Sequence, residues 1–519
     1  MAKKLLRSGL IFSCMTLISR VLGLVRDMVV AHLMGAGAAA DVFFFANKIP
    51  NFLRRLFAEG AFAQAFVPVL TEYKETKPHD DVQLLIARAA GTLGTILLLI
   101  TILAVIATPV LVALFGSGWF IDWLNNEPDG AKFELASVML KITFPYLFFV
   151  SLVALSGAIL NTYGKFGAAA FTPVLLNITI ILFALYADFS QPAFALAWGV
   201  FFGGLVQLLF QLPFLLKVVD KQSLFKPRWG WRDPGVTKIR TLMIPALFGV
   251  SVSQINLLFD TFLASFLQTG SISWLYYSDR LLEFPLGLFG IAISTVILPQ
   301  LSKDHVNAQT NSFQHTMDWG IAMVCVLGLP SAVGLALLAE PMLMVLFMRG
   351  EFDALAVSQS GKSLVAYAFG LLFFMMIKVL ATGFFSRQDT KTPVKIGIRA
   401  MIANMVFNLI LIFPLAHVGL ALATTLSAVF NAVYLYITLR QQGVYQFSRM
   451  VKLHILRVVI AVIVMAAVIV YLLPNQQIWL GWDTGQRVWQ LMLLIVMGAG
   501  IYFVSLFVLG FRPRHLKPQ

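Results

Sequence analysis

Residues 458 to 473 read VVIAVIVMAAVIVYLL, an unbroken apolar run with Lys452 and Arg457 before it and Pro474 behind it. Coiled as a helix at ~1.5 Å per residue, the segment 452–474 is long enough to cross the ~30 Å hydrocarbon layer of a bilayer. Stretches of this kind recur along the chain at about 8–34, 39–72, 83–115, 133–162, 168–187, 192–217, 236–268, 273–302, 316–347, 358–387, 393–415, 418–440, 452–474 and 487–511, fourteen in all. Turn chemistry separates them, as in Gly35-Ala36-Gly37, Tyr163-Gly164-Lys165-Phe166-Gly167 and Gln388-Asp389-Thr390-Lys391-Thr392-Pro393. No water is at hand in lipid to bond the backbone, so each segment must satisfy itself; with no strand-like alternation to suggest a barrel, the spans are helices.

The totals agree. Of 519 residues 59% are hydrophobic and only 12% charged, about half the charged share of a soluble domain. That excludes a water-soluble enzyme, a disordered chain and a disulfide-knit secreted scaffold. The net charge of +14 points to anionic membrane lipid and to loop asymmetry rather than to nucleic acid. Cys14 and Cys325 lie in apolar runs without ligand spacing, which suits helix packing. Walker A, G-x-S-x-G, H-E-x-x-H and C-x-x-C patterns are all missing, and the seven histidines are dispersed at span ends and loops. A transporter without a resident cofactor is expected, not an enzyme. Lys3, Lys4 and Arg7 precede an apolar run to Ser19 with no A-x-A cleavage site, so this end is a first span and not a signal peptide.

Loop charge gives the orientation. With the N-terminus inside, cytoplasmic segments hold 25 Lys and Arg, and the opposite side only Lys132, Arg349, Lys362 and Arg487. Both termini are therefore expected in the cytoplasm. The longest inside loop, Lys217 to Arg240, is basic and carries Trp229 and Trp231, as an interfacial segment on anionic headgroups would.

That loop also separates two similar halves. Phe44-Phe45-Ala46-Asn47-Lys48, with Phe52 and Leu56-Phe57, recurs as Tyr276-Tyr277-Ser278-Asp279-Arg280, with Phe284 and Leu288-Phe289; Pro68 and Pro299 follow in turn. Thr172-Pro173 likewise matches Thr392-Pro393. The expected plan is an all-α polytopic membrane protein of fourteen transmembrane helices: an N-lobe of six (1–217), a basic linker (218–235), a pseudo-symmetric C-lobe of six (236–442), and two further helices with a tail (443–519).

Nine basic residues fall inside spans: Arg20, Arg26, Lys48, Arg54, Arg55, Lys141, Arg280, Lys378 and Arg399. Each costs about 2.5–3.5 kcal/mol at a helix centre, so they must face protein or a wet cavity. Asp27, Asp41, Glu59, Asp260, Asp279 and Glu283 are interspersed but fewer, leaving a positive interior suited to an anion such as phosphate. Pro50, between Lys48 and Arg54-Arg55, kinks the second span and would open a side entrance for a lipid headgroup. A second polar set joins Asp260 with Asn404 and Asn408, one turn apart, and Thr424. Those oxygens suit Na⁺, the aspartate alone suits a proton, and the same groups serve equally as interhelical hydrogen-bonding glue.

At this point the residues become familiar. Ser19-Arg20-Val21-Leu22-Gly23, Arg26-Asp27, Ala40-Asp41 and the block from Lys48-Ile49-Pro50-Asn51 through Glu59-Gly60-Ala61-Phe62 resemble the MurJ (MviN) family of lipid II flippases of bacterial peptidoglycan synthesis. The likeness continues through Lys141-Ile142-Thr143-Phe144-Pro145-Tyr146, Trp274 to Arg280 and Phe385 to Pro393. It implies a member of the multidrug/oligosaccharidyl-lipid/polysaccharide exporter superfamily in the inner membrane, monomeric, bathed in membrane lipids, working beside other cell-wall synthesis proteins. The substrate implied is lipid II, the undecaprenyl-diphosphate-linked disaccharide pentapeptide, moved by alternating access. By family pattern Arg20, Arg26, Asp41, Arg54 and Arg280 match required charges, and Arg26, Asp27 and Arg280 would receive the diphosphate, with Lys48, Arg55, Glu59 and Asp279 beside them. The last two helices would hold the lipid tail. Asn408 stands where a carboxylate occurs in other members, so Na⁺ or H⁺ coupling is left open beside the membrane potential. Rival occupants are another undecaprenyl-diphosphate oligosaccharide and, for a cation-coupled drug exporter, cationic drugs; the excess of basic residues argues against the latter.

Overall fold

The computed structural model describes residues 2–55, 62–221, 223 and 226–512, with the backbone alone for 2–14, 245, 246 and 248–253. Every regular element among the described residues is helical. Among the described residues ten helices are long and apolar enough to cross a bilayer, as in a multi-pass membrane protein. Two compact units divide it: Met1–Ile272 with Arg349–Phe352, and Ser273–Met348 with Asp353–Gln519. The lobes expected from the repeat part at residue 217; grouped by packing, the helix Pro234–Ala264 goes with the first unit, where it lies against Phe62–Thr76.

In the first unit Ala2–Met34 packs on Phe166–Tyr186, which packs in turn on Pro192–Leu215. Close approach depends on a missing side chain: a Cβ at Gly199 would stand 3.0 Å from the Ile180 Cα. Such small-residue seams are how membrane helices gain van der Waals contact where lipid offers no hydrophobic drive. Phe62, Phe66, Leu70, Leu85, Ile86, Leu155, Ile159 and Leu215 form a core beneath them.

In the second unit Thr310–Leu337, Ala354–Phe385 and Lys391–Gln441 form the centre, with Arg449–Leu472 and Thr484–Val508 packed on one another and on Thr310–Leu337. The expected spans 393–415 and 418–440 are the two legs of Lys391–Gln441, which reverses after Pro414 at Ala416 (φ 48°, ψ −128°). The legs are clamped by Ser427 Oγ donating to the Ala400 carbonyl at 2.7 Å.

Four expected spans are interrupted. Residues 83–115 break at Ala107, where Pro109 enters the next helix, and a further short helix follows Gly116. Residues 133–162 divide at Phe144-Pro145. Residues 316–347 divide at Leu338, before Pro341. At Pro109, Pro145 and Pro341 the missing amide hydrogen interrupts the ladder; no proline stands at Gly116. Residues 273–302 pass through a π-helical turn, Leu286–Gly290, just after Pro285. The first repeat also turns π-helical at Arg55, the counterpart of Gly287, so both copies wind loosely at one place.

Candidate functional site

In the first unit Arg26 has neighbours from its own helix and from Phe166–Tyr186. Arg26 donates through Nε (3.1 Å) and Nη2 (2.7 Å) to Asp27 Oδ1, and through Nη1 to Asn177 Oδ1 at 3.1 Å. Asn177 Nδ2 in turn donates to the Ser19 carbonyl at 3.2 Å, fixing Phe166–Tyr186 on the first helix. The Arg26 side chain is 16% exposed and Asp27 is buried. Asn177 was missed by sequence reasoning; its signal was a lone amide in an apolar span. Asp41, also buried, accepts the Gly270 N–H at 2.6 Å and pins the turn that leads into Ser271–Pro285. Lys48 and Arg54 are half-buried on Ala38–Arg54, where Arg54 Nε donates to Asn51 Oδ1 at 3.1 Å. Arg20 and Arg55 are exposed side chains. Glu59 lies outside the described residues.

In the second unit Arg280 and Asp279 are half-buried on Ser271–Pro285. Arg280 reaches Glu283 Oε2 at 3.3 Å and Tyr276 Oη at 2.9 Å, with its guanidinium 4.9 Å above the Tyr276 ring. Its side chain is 34% exposed and that of Glu283 46%, so this cation faces an accessible space. Arg399 is settled differently: Nη1 donates to Tyr434 Oη at 2.5 Å across the two legs of Lys391–Gln441. Lys141 and Lys378 are exposed on their helices.

Four residues were expected to hold a cation. Asp260, half-buried, belongs to the first unit. In the second, Asn408 Nδ2 donates to Asn404 Oδ1 at 3.0 Å, and Thr424 Oγ1 donates to the Leu420 carbonyl at 3.1 Å. Each of those oxygens keeps lone pairs, so the donor set fits a hard cation chemically while already serving helix packing. Among the described residues no three His, Cys, Asp or Glu side chains cluster as a metal site. Cys325 is free and buried; His417 and His454 are buried too.

The linker is seated on His79–Ile106. Arg228 N–H donates to the Ala87 carbonyl at 3.1 Å, Gly230 N–H to Thr92 Oγ1 at 2.9 Å, and Arg88 pairs with Asp233, whose Oδ1 caps Pro234–Ala264. Trp229 and Trp231 stack at 6.0 Å and are well exposed, and the Arg240 guanidinium lies 4.1 Å over Trp231. Arg88, Trp229, Trp231 and Arg232 line a cavity of about 660 Å³ there.

Residues 30–493 match the family model described as lipid II flippase MurJ. The chain belongs to this family. It is 61% identical over 518 residues to the probable lipid II flippase MurJ of Vibrio cholerae, covering 99% of this chain and 98% of the relative. It is 58% identical to that of Haemophilus influenzae over 97% of this chain and 99% of the relative. A solved lipid II flippase MurJ in an inward closed conformation superposes with a TM-score of 0.78 at 27% identity, covering 96% of this chain and all of that one. An inward-facing multidrug MATE transporter of the MOP superfamily shares the fold, with a TM-score of 0.68 at 14% identity over 83% of this chain and 97% of its own.

Proposed function

We propose that this member of the family flips lipid II from the cytoplasmic to the periplasmic leaflet by alternating access, without chemical conversion of the substrate. The observation that carries the proposal is that each unit holds a partly exposed guanidinium on a membrane helix, Arg26 and Arg280, tethered by side chains that orient it. A guanidinium fork matches phosphate oxygens in pairs, and a low-dielectric wall strengthens the attraction. Arg20, Asp41, Lys48, Arg54, Arg55 and Asp279 supply the remaining field and the framework around the path. The undecaprenyl tail stays in lipid along Arg449–Leu472 and Thr484–Val508.

Membrane potential supplies the drive in this scheme: about 2.3 kcal/mol accrues per charge per 100 mV when anionic headgroup moves outward or the empty cationic site resets. Coupling to Na⁺ or a proton enters the proposal through Asp260, Asn404, Asn408 and Thr424. The test is complementation of a strain depleted of its own flippase, scored together with the leaflet in which lipid II accumulates. Arg26→Ala and Arg280→Ala are expected to insert normally, fail to complement and leave lipid II inside. Normal growth with either would refute the assignment.

A further inference from the structure

In the second unit a cavity of about 260 Å³ opens between Ala339–Leu346, Ala354–Phe385 and the turn after Arg449–Leu472. Its walls are apolar (Leu337, Pro341, Met344, Val365, Leu473), but Glu340 and Lys362 also line it. Glu340 is half-buried and Lys362 exposed, and no ion pair joins them among the described residues. Lys362 is instead drawn toward Gln359, with Nζ 3.4 Å from its Oε1. The carboxylate is given its place by Gly361, where a Cβ would stand 2.9 Å from Glu340 Cγ. Trp479 completes the lining; it is fully buried and its Nε1–H has no acceptor among the described residues. The Trp479 turn is itself fastened, because Arg487 donates to the Trp479 carbonyl at 2.9 Å and to the Leu480 carbonyl at 3.1 Å.

A carboxylate and an ammonium that share one cavity yet stay apart call for a ligand carrying the opposite charges in the complementary order. Tyr471, 87% exposed, precedes the cavity's Leu473 by two residues near the end of Arg449–Leu472, so an aromatic belt there would put the cavity at headgroup level. We propose that this cavity binds one phospholipid with a phosphoethanolamine headgroup, its ammonium on Glu340, its phosphate toward Lys362, and its glycerol ester against the apolar wall. By loop charge this is the outer leaflet of the inner membrane, on the side holding few basic residues.

The experiment is native mass spectrometry of the purified full-length protein, titrated with phosphatidylethanolamine or with phosphatidylglycerol of the same acyl chains. The wild type is expected to retain the ethanolamine lipid in preference. Glu340→Gln, and separately the exposed Lys362→Gln, should each weaken retention roughly tenfold, the loss typical when one charged hydrogen-bonding partner goes. Gly361→Ala, which displaces the carboxylate without removing it, should weaken it as well. Equal retention of the two lipids, or ethanolamine-lipid retention unchanged in both charge variants, would overturn the proposal. So would displacement of the lipid by equimolar free phosphoethanolamine, because the acyl portion would then contribute nothing. Lipid II flipping by the variants is a separate readout: its failure with lipid retention intact bears on transport alone.

Discussion

Gly91→Ala is the sharpest way to ask whether the basic linker is a fixed part of the first unit. A Cβ at position 91 would stand 2.3 Å from the Arg228 carbonyl oxygen and 2.6 Å from its amide nitrogen. Ordinary carbon contacts begin near ~3.5 Å, so the linker backbone must retreat by roughly 1 Å. That retreat costs the Arg228 N–H bond to Ala87 and the Gly230 N–H bond to Thr92, at about 0.5–1.5 kcal/mol each. Residual overpacking adds about 1–3 kcal/mol; alanine's helix propensity does not enter, because position 91 is helical whether or not the linker is seated. A net loss of about 2–6 kcal/mol raises the detached fraction of the linker roughly 30-fold or more. Limited trypsinolysis of the full-length protein measures that fraction through cleavage after Arg228 and Arg232, because cutting follows the open population when opening is fast. Gly397→Ala, where a Cβ meets nothing within 4 Å, should cleave at the wild-type rate. If Gly91→Ala also did so, with the protein folded, the linker would not be held by this contact.

Asp41→Ala leaves the Gly270 N–H without its buried acceptor and should lower stability by about 1–3 kcal/mol in thermal unfolding, with Asp41→Asn losing less because an amide oxygen still accepts. Tyr445, in the loop between two spans, has its hydroxyl pKa raised by burial and then by the Asp318 carboxylate that accepts its proton at 2.7 Å. A raised folded-state pKa means that its contribution is complete below the unfolded value near ~10 and fades as pH climbs beyond it. Tyr445→Phe should therefore be weaker than wild type at pH 8 by about 1–2 kcal/mol, with the difference shrinking above pH ~10 in denaturation curves. Tyr434→Phe removes the acceptor of Arg399 and should destabilise the two legs of Lys391–Gln441 while leaving complementation intact.

Hydropathy reveals long apolar segments well because lipid demands apolar side chains on nearly every helix face, so the all-helical membrane class was legible. The interruptions at Ala107, Gly116 and Leu338 were not, since a helix can stop within an apolar run without any change of composition. Proline marked some breaks, yet Pro173, Pro213 and Pro330 lie inside helices that continue, so proline alone does not decide. The charged candidates were legible as costly residues, but not the role each assumes. Asp41 turned out to hold a backbone amide of the loop before the next unit's first helix, and Arg399 a tyrosine thirty-five positions away. Such partners depend on which faces meet, and a sequence read alone carries helix periodicity without helix neighbours. The loosened turns of Arg55 and Leu286–Gly290 fall at equivalent places in the two copies.

The two principal arginines differ in what holds them, and the difference bears on the proposed cycle. Arg26 touches a buried carboxylate at 2.7 Å and an amide from another helix; as a pair, Arg26 and Asp27 are formally neutral. A diphosphate arriving there competes with Asp27, and a buried anion that loses its cation is expensive. Arg280 is held by a more exposed carboxylate at 3.3 Å and by a phenol, and water can replace Glu283 at little cost, since exposed ion pairs are worth about 0–1 kcal/mol. In the proposed scheme, phosphate parts Arg280 from the exposed Glu283 at less cost than it parts Arg26 from the buried Asp27. Such a built-in penalty suits a flippase: a headgroup bound too tightly in one conformation would not leave in the next, and a carboxylate that returns to Arg26 as the phosphate departs lowers the barrier to release.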